Sequence, residues 1–520
     1  MRSPLALFLC AALVVAAAVS EEKTDLTMVH RIRAEALENS KVMDHLFQLT
    51  EVNGPRLTGS PGYRKAAEWV VKQAQSYGLS NAHLEKWGPF GRGWDFRRFS
   101  AHLVEPAYAP LVGFPLAWTS GTNGLLTGEL TMAVIKTAAD FPRHKGKLKG
   151  KIVLLDAIRE TPVRLEAPGK RHDEASLAAL SEGVIQPPRP PVDESRARRF
   201  RSERAKFLKD EGVLAAITNG TAGDGGTVFA TSGGSQDPKV PVPPPFIVLT
   251  PEHYNRVARL LEKKIPVKIE FEVDARIEEG NHDSWNVVAE LPGGRKKDEW
   301  VMVGAHLDSW HGGTGATDNA AGSAVMLEVM RILKAVGAPM DRSVRLVLWS
   351  GEEQGLLGSK AYVKEHFADP AVMKLTSMHG KVSAYFNLDN GTGKIRGVYL
   401  QGNDMVRPVF EAWLKPFHDL GAKSLAIRDT RGTDHLSFDA VGIPAFQFIQ
   451  DPVEYSTRTH HSNMDVYDHA SAADLMQASA VIASFVYHAA AREEMLPRKP
   501  LPKAKPERGD EEKKAAVSGQ

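Results

Sequence analysis

Cysteine is nearly absent: Cys10 is the single one in 520 residues. It lies in an apolar N-terminal run, behind the bulky Leu9, a neighbour that argues against lipoprotein processing. One thiol can form no internal disulfide. The fold must therefore be held by a buried core, which a chain of this length can build. An excess of one charge is also missing. The 65 Lys and Arg against 63 Asp and Glu leave +2, too little to attract nucleic acid or an anionic membrane. The one basic cluster, Arg196–Arg204, reads as a solvated helix face. Past Val19 no apolar run reaches membrane-span length. H-E-x-x-H, G-x-S-x-G and G-x-x-x-x-G-K-[ST] are all missing, which sets aside the helix-borne zinc site, the serine nucleophile elbow and the phosphate loop.

What is present begins with an export signal. Arg2 precedes the run Leu5–Val19, and Ala18-Val19-Ser20 before Glu21 has the small–x–small form of a cleavage site. Residues 1–20 are expected to be a removed signal peptide, giving a secreted or periplasmic protein with no stable membrane insertion. The length suggests about two to four domains. Residues 28–85 read as helical, with apolar residues at three-to-four spacing over Ala34–Thr50 and Tyr63–Tyr77, inside an N-terminal catalytic part, 21–110. Across 111–275 short β-type runs such as Lys151–Leu155 and Ala215–Thr218 sit among Gly- and Pro-rich connectors, including Gln186–Pro191, which predicts an inserted β-rich domain. From Ser284 strands alternate with helices. Strands are expected at Trp285–Glu290, Trp300–Ala305, Val344–Trp349, Val382–Leu388 and Ala445–Ile449; helices at Ala320–Val336, Leu357–Phe367, Met405–Phe417 and Ala472–Arg492. This is an α/β pattern with a largely parallel sheet and helices on both faces, the main catalytic part spanning 276–494. The Lys/Glu/Pro-rich stretch 495–520 reads as a disordered tail.

The chemistry lies just beyond the strands. His306-Leu307-Asp308 follows one, Ser350-Gly351-Glu352-Glu353 another and Asp389 a third, while Asp318-Asn319 opens a helix and His460-His461 lies in the loop after the last strand. Ligands of such sheets gather at the strands' carboxyl ends. Two divalent cations held close together need several carboxylates, one of them bridging, and a further carboxylate off the metal to move the proton. His306 and Asp389 would hold one cation, Glu353 and His461 the other, and Asp318 would bridge. Glu352 would be the general base. Asp308 would accept the second N–H of His306 and fix its tautomer. His311 and His460 read as loop histidines without metal, and Trp310 as packing. Asp389 or Asp318 alone would read as a turn or helix cap; only the set, each member at a strand end or helix start, argues for metal.

The segments GAHLDSW (304–310), TDNAAG (317–322), WSGEEQGLLGS (349–359), NLD (387–389), RGTDHLSFDAVGIPAF (431–446) and HHSNMD (460–465) resemble the M28 family of zinc peptidases, in its plasma glutamate carboxypeptidase branch. The resemblance covers roughly 25–110 and 275–490. It implies a three-layer zinc-exopeptidase (phosphorylase/hydrolase-like) fold with two Zn2+ per chain, peptide substrates such as dipeptides, and a protease-associated character for the insert, which sits over the active site in this family. It also implies a cis peptide between Asp318 and Asn319, and it prefers His461 over His460 as ligand because the family's histidine stands four residues before an Asp, here Asp465. Asp434, His435 and Tyr455 become candidate substrate-binding residues, with a structural role for the Asp-His pair left open. One departure stands out. Where some relatives carry an oxyanion-stabilising tyrosine this chain has Thr430, and Arg431, His435 and Tyr455 stay open as its substitute. A homodimer is compatible with all of this. Receptor-like relatives that have lost ligands and single-zinc glutaminyl cyclases on the same fold are the alternatives; the complete ligand set argues against both.

Overall fold

The computed structural model describes residues 22–184, 194–220 and 222–504. The signal-peptide stretch, the connector Gln186–Pro191 and residues 505–520 of the expected tail lie outside them.

The expected strands form, and they form side by side. Ala445–Gln450, Val382–Asn387, Lys296–His306 and Arg342–Trp349 are neighbours in that order and mutually parallel. Ile395–Tyr399 and Ser424–Ala426 extend one edge, Lys268–Leu291 and Ser80–Glu105 the other. Buried on both faces, the central strands read in sequence as apolar runs rather than alternations. Their side chains nevertheless divide with period two. Val301, Val303, Ala305, Leu346, Leu348, Ala384 and Phe386 enter a core shared with the helices Ala321–Ala335 and Ala472–Ala491. Met302, Val347, Trp349 and Tyr385 enter another, with Tyr362 and Val363 of the helix Leu357–His366 and with Phe438. The result is helix, sheet, helix, as expected. Register then sets the site: Trp349 lies opposite His306, and Asn387 opposite Gly304. The residues that follow these strands therefore emerge at one level. Among the described residues no helix is long and apolar enough to cross a membrane.

Three expectations are corrected. The helix predicted over 34–50 is broken between Leu26–Glu38 and Val42–Phe47. Glu328, fully buried, accepts the Lys41 N–H (2.9 Å), so the chain turns around a charge from a distant helix. The helical reading of 28–85 fails at its end, where the strand Ser80–Glu105 begins and pairs with Lys268–Leu291 in a long antiparallel ribbon. Its irregular register and mixed exposure leave no two-residue alternation to read. The start of the tail is packed. Leu496 is buried and its N–H donates to Ser383 Oγ (3.1 Å), while Lys499 pairs with Asp439 (2.6 Å).

Between the ribbon strands the chain builds a second, smaller sheet. Leu126–Met132, Ile152–Leu154, Ala215–Thr218 and Phe246–Leu249 run parallel, with Gly113–Pro115 antiparallel at the edge. Leu126 pairs with Phe271 of the ribbon, so one ribbon edges both sheets. The segment also carries helices, Pro251–Glu262 among them, and has its own apolar clusters on the two faces of its sheet.

Two buried imidazoles outside the ligand set predict acid sensitivity. Burial lowers His45 to about 4 against the pull of Glu328, and burial lowers His311 to about 4. Each stays neutral in the folded protein while the unfolded chain takes up a proton near 6.5. Their stabilisation is therefore complete above pH 6.5 and is lost as pH falls toward 4. The linkage amounts to about 2 kcal/mol per imidazole by pH 5. Urea unfolding at pH 7 and pH 5 should show this loss, and His45→Gln should reduce it by about one imidazole's share; an unchanged difference would contradict the assignment.

Candidate metal centre

Each ligand candidate is delivered by a strand end or a tight turn. His306 closes the strand Lys296–His306, and Asp389 stands two residues past Val382–Asn387. Glu352 and Glu353 follow Arg342–Trp349 through Gly351, whose φ is +69°. A Cβ there would lie 3.0 Å from the Trp87 ring and from Leu357, so the turn accepts only glycine without rearrangement. Asp318 precedes the helix Ala321–Ala335, and its peptide bond to Asn319 is cis, as the resemblance implies. The Asn319 side chain then bridges, donating to the Leu388 carbonyl (2.9 Å) and accepting the Gly322 N–H (3.0 Å). It ties the Asp318 turn to the Asp389 turn.

The five ligand candidates converge. His306 Nε2 lies 3.1 Å from Asp318 Oδ1 and 3.3 Å from Asp389 Oδ1. His461 Nε2 lies 3.1 Å from Asp318 Oδ2 and 2.9 Å from Glu353 Oε2. Asp318 thus turns one oxygen to each imidazole, the disposition of a bridging carboxylate. The donor set fits a pair of cations on electrostatic grounds as well. Burial would raise Asp318, but hydrogen bonds from His306 and His461 hold it well below the usual carboxylate range. Burial would lower both imidazoles, yet Asp389 and Glu352 raise His306 well above its ordinary value, and Glu353 with Asp318 raises His461 to about 11. Burial and Asp318 raise Glu353 to about 7. So much buried negative charge calls for positive charge. Glu353 Oε1 and Asp389 Oδ1 are buried without a hydrogen bond, lone pairs free for a ligand.

Asp308 departs from its expected contact. His306 Nδ1 lies 2.9 Å from the Asp308 main-chain carbonyl, and 3.6 Å from its carboxylate. The ring is thus held at Nδ1 by the backbone rather than by the carboxylate. The carboxylate instead accepts from Thr58 Oγ1 (2.8 Å) and faces the N–H groups of Glu352 and Glu353 (3.4 Å each). It holds the turn that carries Glu352 and Glu353. Residues the sequence does not reveal complete this frame. Thr58 accepts the Gly351 N–H (2.9 Å), and the fully buried Arg56 donates to the carbonyls of Leu49, Leu307, Thr314 and Gly315. Asp465 accepts the Thr317 N–H, and burial beside Asp318 raises it to about 8. No periodicity marks such residues; the turn-rich run Asn53–Ser60 is the one local hint.

Glu352 is buried, outside the imidazole contacts, and is raised well above the ordinary range by burial and by Asp389, Asp434 and Glu353, against His306. Asp434 and His435 are both fully buried. Neither Asp434 oxygen has a hydrogen bond and burial raises it to about 7, while His435 lies 3.2 Å from the Thr430 carbonyl. Tyr455 packs against Gly391 and the His460 ring (centroids 4.7 Å apart). Burial and the charges of Asp318, Asp389 and Glu353 raise its phenol. Of the three residues left open to replace the missing tyrosine, Tyr455 is brought to the carboxylate cluster, whereas Arg431 is exposed and His435 enclosed. His460 is nearer the centre than expected: its Nε2 lies 3.6 Å from Asp318 Oδ2, and Asp318, His460 and His461 together could hold an ion. His311 is a core histidine at 2.7 Å from the Pro115 carbonyl, and Trp310 packs on Trp118 while meeting the His461 ring at 6.1 Å.

Fold and donor set together define a class, the metallo-exopeptidases. Within that class, residues 286–486, a stretch holding every ligand candidate, match the model of peptidase family M28. Carboxypeptidase Q of Pongo abelii is 27% identical over 460 residues, 88% of this chain and 86% of the relative. Among solved structures, a peptidase M28 precursor from Shewanella amazonensis SB2B superposes with TM-score 0.66 at 26% identity, covering 92% of this chain and 98% of that one. A zinc aminopeptidase from Bacillus subtilis shares the fold, with TM-score 0.53 at 23% identity over 89% and 98% of the two chains.

Proposed function

We propose that this protein is an exported two-zinc exopeptidase that hydrolyses dipeptides or releases terminal residues from short peptides. The observation that carries the proposal is Asp318, whose two oxygens each face a different imidazole at 3.1 Å. His306 and Asp389 would hold one zinc and Glu353 and His461 the other, with Asp318 shared between the two pairs. Zinc, when bound, supplies the Lewis-acid chemistry that activates water and polarises a carbonyl oxygen. Glu352 takes the proton of the attacking water and delivers it to the leaving amine. Its buried place among carboxylates raises its hold on a proton, which suits a group that must take one up during the reaction. The Tyr455 O–H donates to the carbonyl oxygen as charge builds there. The surplus of carboxylates draws in the substrate's free amino group. Asp434 and His435, being enclosed, support the floor of the site beneath the substrate. Residues 111–275 act as a protease-associated domain; Gly226–Ala230 reach the loop that carries His461. Export rests on the N-terminal run Leu5–Val19 and the Ala18-Val19-Ser20 site.

The test is direct. The purified mature chain should contain two zinc ions by mass spectrometry and hydrolyse unblocked dipeptides, with N-acetylated dipeptides inert. A chain that binds no metal, and stays inactive when zinc is restored, would refute the proposal.

A further inference from the structure

His461 has an unusual backbone. Its φ is +63°, in the left-handed region that is uncommon for residues other than glycine, histidine being less rare there than most. Such a conformation persists only where surrounding contacts enforce it. On one side the catalytic part contributes: the Asp465 carbonyl accepts the N–H groups of Thr314 (2.9 Å) and Gly315 (3.1 Å). On the other side stands the inserted segment. The Ala230 N–H donates to the His461 carbonyl (3.2 Å), Phe229 and Ser462 form an antiparallel bridge, and the Asn463 N–H donates to the Val228 carbonyl (3.0 Å). The Asn463 side chain extends the pairing. Its Oδ1 accepts the Val228 N–H (2.8 Å) and its Nδ2 donates to the Gly226 carbonyl (3.1 Å). Val228 and Ala230 are buried, so these main-chain groups have no water to fall back on.

We propose that Asn463 is a positioning residue for the metal ligand His461, and that Gly226–Ala230 make the inserted segment a working part of the metal centre. This rests on the two-zinc function above. The other ligands have a different support. His306 ends a central strand, Asp389 follows one, and Asp318 is braced by Asn319. Among the described residues, His461 alone of the five sits on a loop whose conformation is shared with the insert. The distances from its Nε2 to Glu353 (2.9 Å) and Asp318 (3.1 Å) therefore depend on contacts made more than 230 residues away in sequence. Removing the side chain of Asn463 should loosen one half of the centre and leave the other intact.

The experiment uses the full mature chain, stripped of metal and titrated with zinc against a chromophoric chelator. In wild type two binding steps are expected. Asn463→Ala should weaken one step by about 10–100-fold, the range for losing a group that orients a ligand, and leave the other within about twofold. Asn463→Asp keeps an acceptor for the Val228 N–H but not the donor to Gly226, and should fall between the two. Both steps at wild-type affinity in Asn463→Ala, or both weakened alike, would overturn the proposal. If Asn463→Ala does not fold, Asn463→Asp decides: weakening confined to one step supports the role, and wild-type values in both refute it. Wild-type protein that takes up no zinc would instead sink the proposed function, before any variant is compared.

Discussion

Glu352→Gln should retain both zinc ions and lose turnover by about 10²–10⁴-fold, the usual contribution of a positioned general acid–base. Glutamine has nearly the shape of glutamate but cannot take up a proton at neutral pH. Glu352 makes none of the imidazole contacts that define the centre, so its neutralisation should not release metal; it should even remove negative charge from a crowded site, since Asp389, Asp434 and Glu353 already raise it. Paired measurements on the same preparation decide the matter: zinc content by mass spectrometry, and kcat on a dipeptide. Wild-type kcat would remove Glu352 from the base role. Loss of zinc in parallel with activity would make it a ligand.

Asp318→Asn should do the opposite, abolishing activity through the metal. One residue partners both imidazoles, His306 at 3.1 Å and His461 at 3.1 Å, and is fully enclosed between them. An amide offers one neutral oxygen where the carboxylate offers two charged ones, so it cannot serve two cations equally. Losing a group that merely orients a ligand costs about 10–100-fold. Losing the bridging ligand should cost more, on the order of 10³-fold in kcat/KM, with zinc content falling from two ions to one or none. Circular dichroism should show the fold unchanged, because the main sheet and its two cores do not depend on this side chain. Full zinc occupancy with normal kinetics in Asp318→Asn would leave no bridging role.

The two variants divide the site by physical role, and that division is largely legible in the amino-acid sequence. His306 ends an apolar run and Asp389 and Glu353 stand within four residues of one, and such runs are what strands buried on both faces look like. Once the strands are parallel and level, their following residues have to meet. Asp318 and His461 are legible as members of a set, not singly. The roles of Asp308 and His460 are less legible. Asp308 lies two residues from His306, which suggests a side-chain contact, yet the main-chain carbonyl reaches the ring and the carboxylate turns to Thr58 and the Glu352–Glu353 turn. His460 reads as a bystander, and its distance to Asp318 follows from the fold of a loop with no regular period.

The sequence alone determined the strand–helix order, the layers it implies and the types of donor at each strand end, because these follow from local periodicity and from chemistry written residue by residue. It also excluded disulfides among the residues after Cys10. Only the tertiary structure decided how the frame is held: the helix that breaks around Glu328, the ribbon shared by both sheets, Arg56 gathering four carbonyls, and the insert pairing with the His461 loop. Most of these contacts join residues far apart along the chain through hydrogen bonds to backbone groups. A bond of that kind requires no particular residue pattern at either end, so it leaves no mark in a sequence until folding brings its two ends together.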